Sequence, residues 1–341
     1  MAKKSSLAAL AGAAVGVGAG LAAQRAAVRR RRVHDTESTA RFGERRGVRD
    51  RMLDLPDGGR IFVEEAGPES RRGVVFLHGS ALRTDVWYYQ LPGIGDHRLV
   101  FYDLRGHGRS QPKGTDPYLV STLSDDLVRV IDDADLDEVV LVGHSVGGMI
   151  ALDLCSARRE WLGDRIRGIV LVNTTHRPPY ETITGGATVA RLERFLRRPL
   201  DVVGTHHHRV EILRKVIKPS DSLFLAVSFA AFGPHASARQ VDFTYDMLAE
   251  TPTDVLFDLF KCYRHTETTH LLPDITVPAL VITGTHDRIT VSGASEYLAE
   301  HLPKADLHVF DDCGHMTMLE RHRDFNKLLL GFFDDTLGGR D

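Results

Sequence analysis

The stretch that decides the fold is residues 139–149, which read VVLVGHSVGGM. Four apolar residues form a candidate buried strand, Gly143-x-Ser145-x-Gly147 follows, and a helical stretch over Val146–Ala157 continues the chain. A sharp turn from strand to helix forces the serine into a strained conformation, and glycine at the flanking positions avoids clashes there. The turn exposes the serine oxygen at the carboxyl edge of a sheet, beside a helix N-terminus that favours a developing anion. Ser145 is therefore the candidate nucleophile.

Outward from this stretch, apolar runs of strand length alternate with helical stretches. The candidate strands are Arg51–Leu55, Arg60–Glu65, Val74–Leu77, Leu99–Tyr102, Val139–Val142, Gly168–Val172, Ala279–Thr283 and Leu307–Phe310. The candidate helices are Thr122–Ala134, Val146–Ala157, Ser292–His301 and Asp324–Leu337. The middle strands are almost wholly apolar, as expected for strands covered on both faces of a parallel sheet. The pattern predicts an α/β three-layer sandwich with a mostly parallel, eight-stranded sheet that starts with an antiparallel hairpin.

The alternation stops between Asn173 and about Leu272. Helical pieces replace strands there, at Ala190–Leu196, Val210–Ile217, Val241–Ala249 and Val255–Tyr263. This stretch is too long for a plain loop, so it predicts a helical cap inserted after the sixth strand. The predicted organisation is an N-terminal segment (1–46), a first part of the α/β core (47–173), the helical cap (174–272) and a second part of the core (273–341).

A serine hydroxyl needs a base to become a nucleophile, and the base needs an orienting acid. The candidate strand Ala279–Thr283 leads to Asp287, and the next strand leads to His315. The chain order serine, acid, histidine, with each residue after a strand, predicts Asp287 and His315 as the partners of Ser145.

Other acids were weighed against Asp287. The alternative position, after the sixth strand, holds Asn173, which carries no charge. Asp311 and Asp312 lie on the same loop as His315. Asp287, in contrast, is separated from His315 by one helix and one strand, as expected for an acid on the preceding loop. Asp287 is therefore the preferred acid.

An oxyanion hole needs two backbone N–H groups aimed at one point. The N–H of Val146, directly after the nucleophile, supplies one. The strand Val74–Leu77 runs into His78-Gly79-Ser80, whose turn can place the Ser80 N–H opposite. His78 itself is interpreted as part of that turn rather than as a proton donor.

Five motifs together resemble those of the α/β-hydrolase superfamily. They are His78-Gly79, Asp103–Ser110 (DLRGHGRS), Gly143-x-Ser145-x-Gly147-Gly148, Gly284-x-x-Asp287 and Gly314-His315. They occur in the family's order and span about residues 50–335. The resemblance is to the esterase, lipase and peroxidase-like branch with a helical cap, and it implies that Asp103–Ser110 is a structural turn. Ser145 stands where similar epoxide hydrolases and haloalkane dehalogenases carry Asp, which argues against their chemistry.

The sequence thus predicts a serine hydrolase that cleaves a carboxylic ester through an acyl-enzyme intermediate, without a cofactor. Perhydrolysis, C–C bond, thioester and imino-peptide hydrolysis remain alternatives on the same residues. An alternative from a different functional class is a binding protein that has the hydrolase fold but no catalytic activity. The expected partner is a small-molecule ester, with an apolar acyl or aryl group if the cap aromatics line a pocket. Those aromatics, which serve equally well as a core for the cap, are Phe224, Phe229, Phe232, Phe243, Tyr245, Phe257, Phe260 and Tyr263.

Neither a metal nor a nucleic acid is an expected partner. The three cysteines form no C-x-x-C pattern, and the consecutive residues His206–His208 diverge too much to chelate one ion. Residues 1–46 carry ten Lys and Arg against three Asp and Glu, whereas the whole chain carries 43 against 46. A basic tail on an acidic body is not the pattern of a nucleic-acid-binding domain.

The N-terminus has an uncharged run, Leu7–Ala23, between Lys3-Lys4 and Arg29–Arg32. Its 17 residues are at the short end of what spans a bilayer, so it predicts a transmembrane helix that anchors the protein. The charges after the run place the catalytic domain on the cytoplasmic side. A signal peptide with export, and a soluble cytoplasmic tail, are the alternatives. Under the anchor hypothesis, Arg29–Arg32 face lipid headgroups, and residues 1–46 are dispensable for the hydrolase body.

Overall fold

The computed structural model of the chain contains one sheet of eight strands. They are β1 (Arg49–Asp54), β2 (Arg60–Ala66), β3 (Arg72–Leu77), β4 (Leu99–Tyr102), β5 (Glu138–His144), β6 (Ile166–Val172), β7 (Ala279–Gly284) and β8 (Ala305–Phe310). Their order is β1-β2-β4-β3-β5-β6-β7-β8, with β2 antiparallel to both β1 and β4 and all other pairs parallel. The structure describes residues 22–44, 49–114, 117–182, 221–263 and 266–338.

Helices cover both faces of the sheet. The described helices are α1 (22–33), α2 (Gln90–Gly93), α3 (Val120–Asp133), α4 (Val146–Ala157), α5 (Pro179–Thr182), α6 (Asp221–Ala231), α7 (Ala238–Glu250), α8 (Thr253–Tyr263), α9 (Ser292–His301), α10 (Thr317–Glu320) and α11 (His322–Leu337). Helices α3, α4 and α9 share one buried cluster with the sheet, and α11 shares the other. Apart from the first residues of β3 and β5, the central strands β3, β4 and β5 are buried because both faces are covered, which explains their apolar sequence.

The fold class predicted from sequence is confirmed. Each of the eight candidate strands overlaps an observed strand, and β1 and β2 form the predicted antiparallel hairpin. Helices α6, α7 and α8 lie between β6 and β7, where a helical insertion is expected. Two predicted cap pieces, Ala190–Leu196 and Val210–Ile217, fall outside the described residues. Helices α1 and α6 and the short helices α2, α5 and α10 were not predicted from the sequence.

The N-terminal segment, residues 22–44, packs against the cap instead of extending away from the body. The Arg31 guanidinium donates to Ser228 Oγ on α6, and the Arg32 guanidinium donates to both carboxylate oxygens of Asp242 on α7, at 2.8 and 3.1 Å. Part of the block Arg29–Arg32 is therefore bound to the cap, which differs from the expectation that the block faces lipid headgroups.

The same segment also reaches the core. Val28 is fully buried in the cluster that contains α11, and the Phe42 ring stacks on Phe243 of α7 at 4.6 Å between ring centroids. The Glu37 carboxylate accepts a hydrogen bond from the Tyr89 hydroxyl, next to α2. Residues 22–44 thus join cap and core, so residues 1–46 are not wholly separate from the body.

The predicted transmembrane run lies mostly beyond the described part of the chain. Residues 7–21 of Leu7–Ala23 are outside it, and residues 22 and 23 begin helix α1. Within the described ranges, no helix has the length and apolar character needed to cross a membrane.

Candidate active site

Ser145 lies at the sharp turn between β5 and α4. Its φ is 53° and its ψ is −119°, a conformation that costs a non-glycine residue about 1–3 kcal/mol. The flanking glycines are needed for close approach: a Cβ on Gly143 would lie 2.5 Å from the Gly147 carbonyl, and a Cβ on Gly147 would lie 2.4 Å from the Leu77 oxygen. The turn predicted from residues 139–149 is therefore present, and it holds Ser145 at the carboxyl edge of the sheet.

Asp287 and His315 form a buried pair at the same edge. The Asp287 Oδ2 to His315 Nδ1 distance is 2.9 Å, and each residue is 5% exposed. Asp287 follows β7 and His315 follows β8, two neighbouring parallel strands, so the sheet itself brings the two loops together. The pair predicted from chain order is thus in hydrogen-bond contact, whereas Asp311 and Asp312 are exposed.

The Asp287 carboxylate is held by four further hydrogen bonds. Asn173 Nδ2 and Thr290 Oγ1 donate to its Oδ2, each at 2.8 Å, and the N–H groups of Ile289 and Thr290 donate to its Oδ1, each at 2.9 Å. Burial by itself would raise the pKa of Asp287, but His315 and these donors lower it below the usual value. Asp287 is therefore an ionised hydrogen-bond acceptor that keeps the His315 Nδ1 proton in place.

His144, which directly precedes Ser145, contacts His315. Its Nε2 is 3.0 Å from the His315 carbonyl oxygen, and the two rings lie 4.7 Å apart between centroids. Because burial lowers the pKa of His144 to about 3, its ring is neutral and donates this bond. Among the described residues, the Ser145 hydroxyl has no hydrogen bond, so its contact with the His315 ring stays a prediction.

The candidate oxyanion loop, residues 78–81, is fixed by two buried histidines. The Leu104 N–H donates to His78 Nε2 at 2.9 Å, and the Ala81 N–H donates to His107 Nε2 at 3.1 Å. Burial lowers the pKa of His78 well below its usual value and that of His107 to about 4, so both rings are neutral acceptors. His78 thus has the structural role predicted for it.

Two N–H groups near Ser145 are available for an oxyanion. In the described ranges, neither the Ser80 N–H nor the Val146 N–H is paired. Gly79 brings the loop close to the nucleophile, since a Cβ there would lie 3.1 Å from the Ser145 Cβ. The loop that carries Ser80 thus lies close to Ser145, and the role of the Ser80 and Val146 N–H groups as an oxyanion hole remains a prediction.

The turn Asp103–Ser110 contacts the loop of residues 78–81 and helps to fix its position. Asp103 accepts from the Thr84 N–H at 2.7 Å and from the Arg109 N–H at 2.9 Å, while the Arg105 guanidinium pairs with Asp126 of α3. The turn also carries His107, which holds Ala81. These contacts are structural, as the resemblance implies.

Backbone strain concentrates at this edge of the sheet. Within the described ranges, five non-glycine residues have positive φ, and four of them flank the site: Ala81, Ser145, Asn173 and Asp312. They lie after β3, β5, β6 and β8. Such strain persists only where surrounding structure imposes it, and it is typical of functional sites.

Sequence reasoning missed several residues that support the site. Asn173 was noted as an uncharged residue at the alternative acid position, but its donation to Asp287 was not foreseen. The Asp287 turn had a readable signal, because an Asp side chain commonly accepts from the backbone two residues on, here the Ile289 N–H, but the Thr290 hydroxyl contact had none. Glu320, which binds the Gly314 N–H at 2.8 Å, had no such signal, since its partners depend on tertiary contacts.

The cap aromatics divide unevenly between core and surface. Buried ones are Phe224, Phe232, Phe243, Tyr245 and Tyr263, whereas Phe229 and Phe260 are 66% and 43% exposed. Phe257 is half-buried. Most of these rings are therefore packed inside the described part of the cap, and whether any of them line a substrate pocket stays a prediction.

The described residues contain no group of three or more His, Cys, Asp or Glu side chains that could hold a metal ion. His206–His208 lie outside those ranges. Cys155, Cys262 and Cys313 form no disulfide bond with one another.

Comparison with known proteins identifies the family. A sequence model of the α/β-hydrolase fold matches residues 73–322, most of the chain. The protein belongs to the α/β-hydrolase superfamily, a family of hydrolase enzymes that includes esterase and peroxidase-like members.

Individual relatives are distant but match over nearly their whole length. The non-heme chloroperoxidase CPO-A1 of Kitasatospora aureofaciens is 28% identical over 82% of this chain and 97% of its own. The 3-oxoadipate enol-lactonase 1 of Acinetobacter baylyi is 23% identical over 82% of this chain and 96% of its own. Among solved structures, an esterase from Exiguobacterium antarcticum superposes with a TM-score of 0.66 and 22% identity over 82% of this chain and 98% of its own, a likeness of fold.

Proposed function

We propose that this protein is a serine hydrolase that cleaves a carboxylic ester through an acyl-enzyme intermediate. The observation that carries the proposal is the strained turn at Ser145 on the same sheet edge as the buried Asp287–His315 pair. A strained serine beside a histidine that a carboxylate orients is the arrangement that acyl transfer requires.

The reaction follows from the roles of these residues. Ser145 Oγ attacks the ester carbonyl carbon while His315 Nε2 takes the hydroxyl proton, and the N–H groups of Ser80 and Val146 stabilise the oxyanion. The tetrahedral intermediate collapses, the alcohol leaves with the proton from His315, and the acyl group stays on Ser145. Water then attacks the acyl-enzyme by the same steps and releases the carboxylic acid. Asp287 stays ionised and stabilises the positive charge on His315.

A second candidate is perhydrolysis, which the 28% identical relative named as a non-heme chloroperoxidase favours. Hydrogen peroxide would replace water in the second half of the reaction, attack the acyl-enzyme carbonyl and release a peracid. His315 would accept the peroxide proton and return it to Ser145. Both candidates need the same nucleophile and no cofactor, so they differ only in the acceptor of the acyl group.

Labelling by a fluorophosphonate probe tests the nucleophile before any substrate is known. We expect stoichiometric labelling of Ser145 and loss of ester hydrolysis, with labelling and hydrolysis both absent in Ser145→Ala. Wild-type levels of hydrolysis in Ser145→Ala would overturn the proposal, and a folded but unlabelled wild-type protein would favour the non-catalytic binding protein. A chain-length series of p-nitrophenyl esters, with and without hydrogen peroxide, then separates hydrolase from perhydrolase.

We also propose, from sequence alone, that the run Leu7–Ala23 associates the enzyme with a membrane. The support is an uncharged stretch bounded by basic residues on both sides. Fractionation of the full-length protein tests this, and its complete recovery in the soluble fraction at low salt contradicts it.

A further inference from the structure

Glu320, the last residue of α10, is a partly buried carboxylate that the proposed mechanism does not use. Its Oε1 accepts the Gly314 N–H and its Oε2 accepts the Gly233 N–H, both at 2.8 Å. Gly314 directly precedes His315, whereas Gly233 lies in the loop between α6 and α7 of the cap. One carboxylate therefore joins the loop of the candidate base to the cap.

The two loops that Glu320 joins are in direct backbone contact. A Cβ on Gly314 would lie 2.5 Å from the Phe232 carbonyl carbon, so only glycine allows the approach. The His315 N–H donates to the Ala231 oxygen, the last residue of α6, at 2.9 Å. The main chain of His315 thus rests on the end of a cap helix, and a shift of that contact moves the imidazole.

Glu320 is the carboxylate among the described side chains that hold this loop, where the Arg321 guanidinium also donates to the Asp311 oxygen at 2.7 Å. Asn173 donates to the Gly314 oxygen at 3.3 Å, and the Thr285 hydroxyl accepts the Asp312 N–H at 3.0 Å, both through neutral groups. Burial raises the pKa of Glu320 to about 7, even though the two backbone N–H donors favour its charged form. Protonation therefore occurs near neutrality, and it turns one of the two acceptor oxygens into a donor that faces an N–H group.

Other titratable and charged groups lie around Glu320. They are Asp287, Asp312, Cys313, Arg321 and two histidines that face Asp312, His286 after β7 and His235 on the cap loop. The pKa of Asp287 is lowered, so this carboxyl is already ionised near neutrality. Burial and the neighbouring Glu320 raise the pKa of the Cys313 thiol, so the thiol stays protonated there.

We propose that Glu320 is a positioning residue for His315: its ionised carboxylate holds the histidine loop on the cap, in the geometry for proton transfer from Ser145. This inference rests on the proposed serine-hydrolase function. Ionised Glu320 binds both glycine N–H groups, and protonated Glu320 releases one of them. The rate of acylation therefore depends on the deprotonation of Glu320, in addition to the transfer of the Ser145 proton to His315.

The test is the rate constant for fluorophosphonate labelling of the full-length protein, measured from about pH 5 to about pH 9. In the wild type, the logarithm of the rate rises with pH on the acid side with a slope greater than one, because the deprotonation of Glu320 adds to the pH dependence of the labelling reaction itself. In Glu320→Gln the slope falls to one, and the plateau falls about tenfold, since one oxygen is replaced by an N–H donor. Glu250→Gln is the matched control: it removes the ion pair between α7 and Arg83, another contact of cap and core, and keeps the wild-type profile.

The outcomes separate the two proposals. An unlabelled wild-type protein overturns the serine-hydrolase function itself. Labelled wild type with an acid slope of one, or Glu320→Gln with an unchanged profile, overturns the role of Glu320 and leaves the function intact. Circular dichroism melting shows whether Glu320→Gln folds, and if it does not, the wild-type slope alone decides. An equal change of the pH profile in Glu250→Gln also contradicts the proposal, because the loss of any contact between cap and core would then have the same effect on labelling.

Discussion

The candidate catalytic edge of the sheet and the N-terminal segment both join parts of the chain that are far apart in sequence, but they differ in burial. At the edge, Asp287 and His315 are each only 5% exposed, and five hydrogen bonds converge on one carboxylate. In the segment, the side chains of Arg32 and Asp242 are 43% and 27% exposed. The same kind of charged contact is therefore shielded from water in one region and open to it in the other.

The difference determines what each contact contributes. Hydrogen bonds in a buried network polarise one another and leave costly unpaired groups when one member is lost. An exposed ion pair contributes about 0–1 kcal/mol, because water and salt compete for both charges. We therefore expect single substitutions to abolish function at the edge, whereas the segment acts through many small contacts.

The largest effect is expected for Asp287→Asn. The amide would place a donor against Asn173 or His315 and favour the wrong imidazole tautomer, so kcat for ester hydrolysis should fall about 10⁴-fold. Steady-state kinetics on a soluble ester measure this. Asp312→Asn, an exposed change on the loop of His315, is the control and should stay within a few-fold of wild type. The reverse ranking would make Asp312 the acid.

A smaller loss is expected for Gly79→Ala on the candidate oxyanion loop. The added Cβ would lie 2.7 Å from His144 Nδ1 and 3.1 Å from the Ser145 Cβ, so the loop must shift away from the nucleophile. Displacing one oxyanion donor costs about 10²–10³-fold in kcat. Gly95→Ala, where a Cβ meets nothing within 4 Å, is the matched control. Equal activity of the two variants would remove the loop from the catalytic machinery.

Truncation tests the N-terminal segment as a whole. Deleting residues 1–44 removes buried Val28 and the Phe42–Phe243 stack, so the melting temperature should fall by roughly 5–15 °C. Activity should fall only a few-fold at a temperature where the protein stays folded. Deleting residues 1–20 is the control, because it keeps helix α1 and should leave the melting temperature unchanged. An unchanged melting temperature in the longer deletion would contradict the docking of this segment.

The smallest effect is expected for Arg32→Gln. Loss of the two-pronged contact with Asp242 should lower the free energy of unfolding by about 0.5–1 kcal/mol at low salt and by less at high salt. Denaturant titration measures it. Arg30→Gln, an exposed neighbour of the same charge, should have no measurable effect. Equal losses in both would assign the effect to net charge rather than to the contact.

Local sequence was sufficient to predict the elements of this protein that depend on residues close together in the chain. Apolar runs predicted the strands, because the side chains on both faces of a strand in the middle of the fold are covered and therefore apolar. The turn at Ser145 was readable because glycine at 143 and 147 is a steric requirement of the turn itself, visible within five residues. The order of Asp287 and His315 after successive strands followed from parallel strands that end at one edge.

Only the tertiary structure decided how separate segments support one another. Asn173 and Glu320 bind partners that are 114 and 87 residues away in the chain, and nothing in their neighbours marks those contacts. The arginines at 31 and 32 have the composition of a lipid-facing block, yet two of their partners are Ser228 and Asp242 on the cap. A charged side chain can pair with any exposed opposite charge, so sequence alone does not choose among partners. Packing makes that choice, because it determines which groups lie within hydrogen-bond distance and which remain in water.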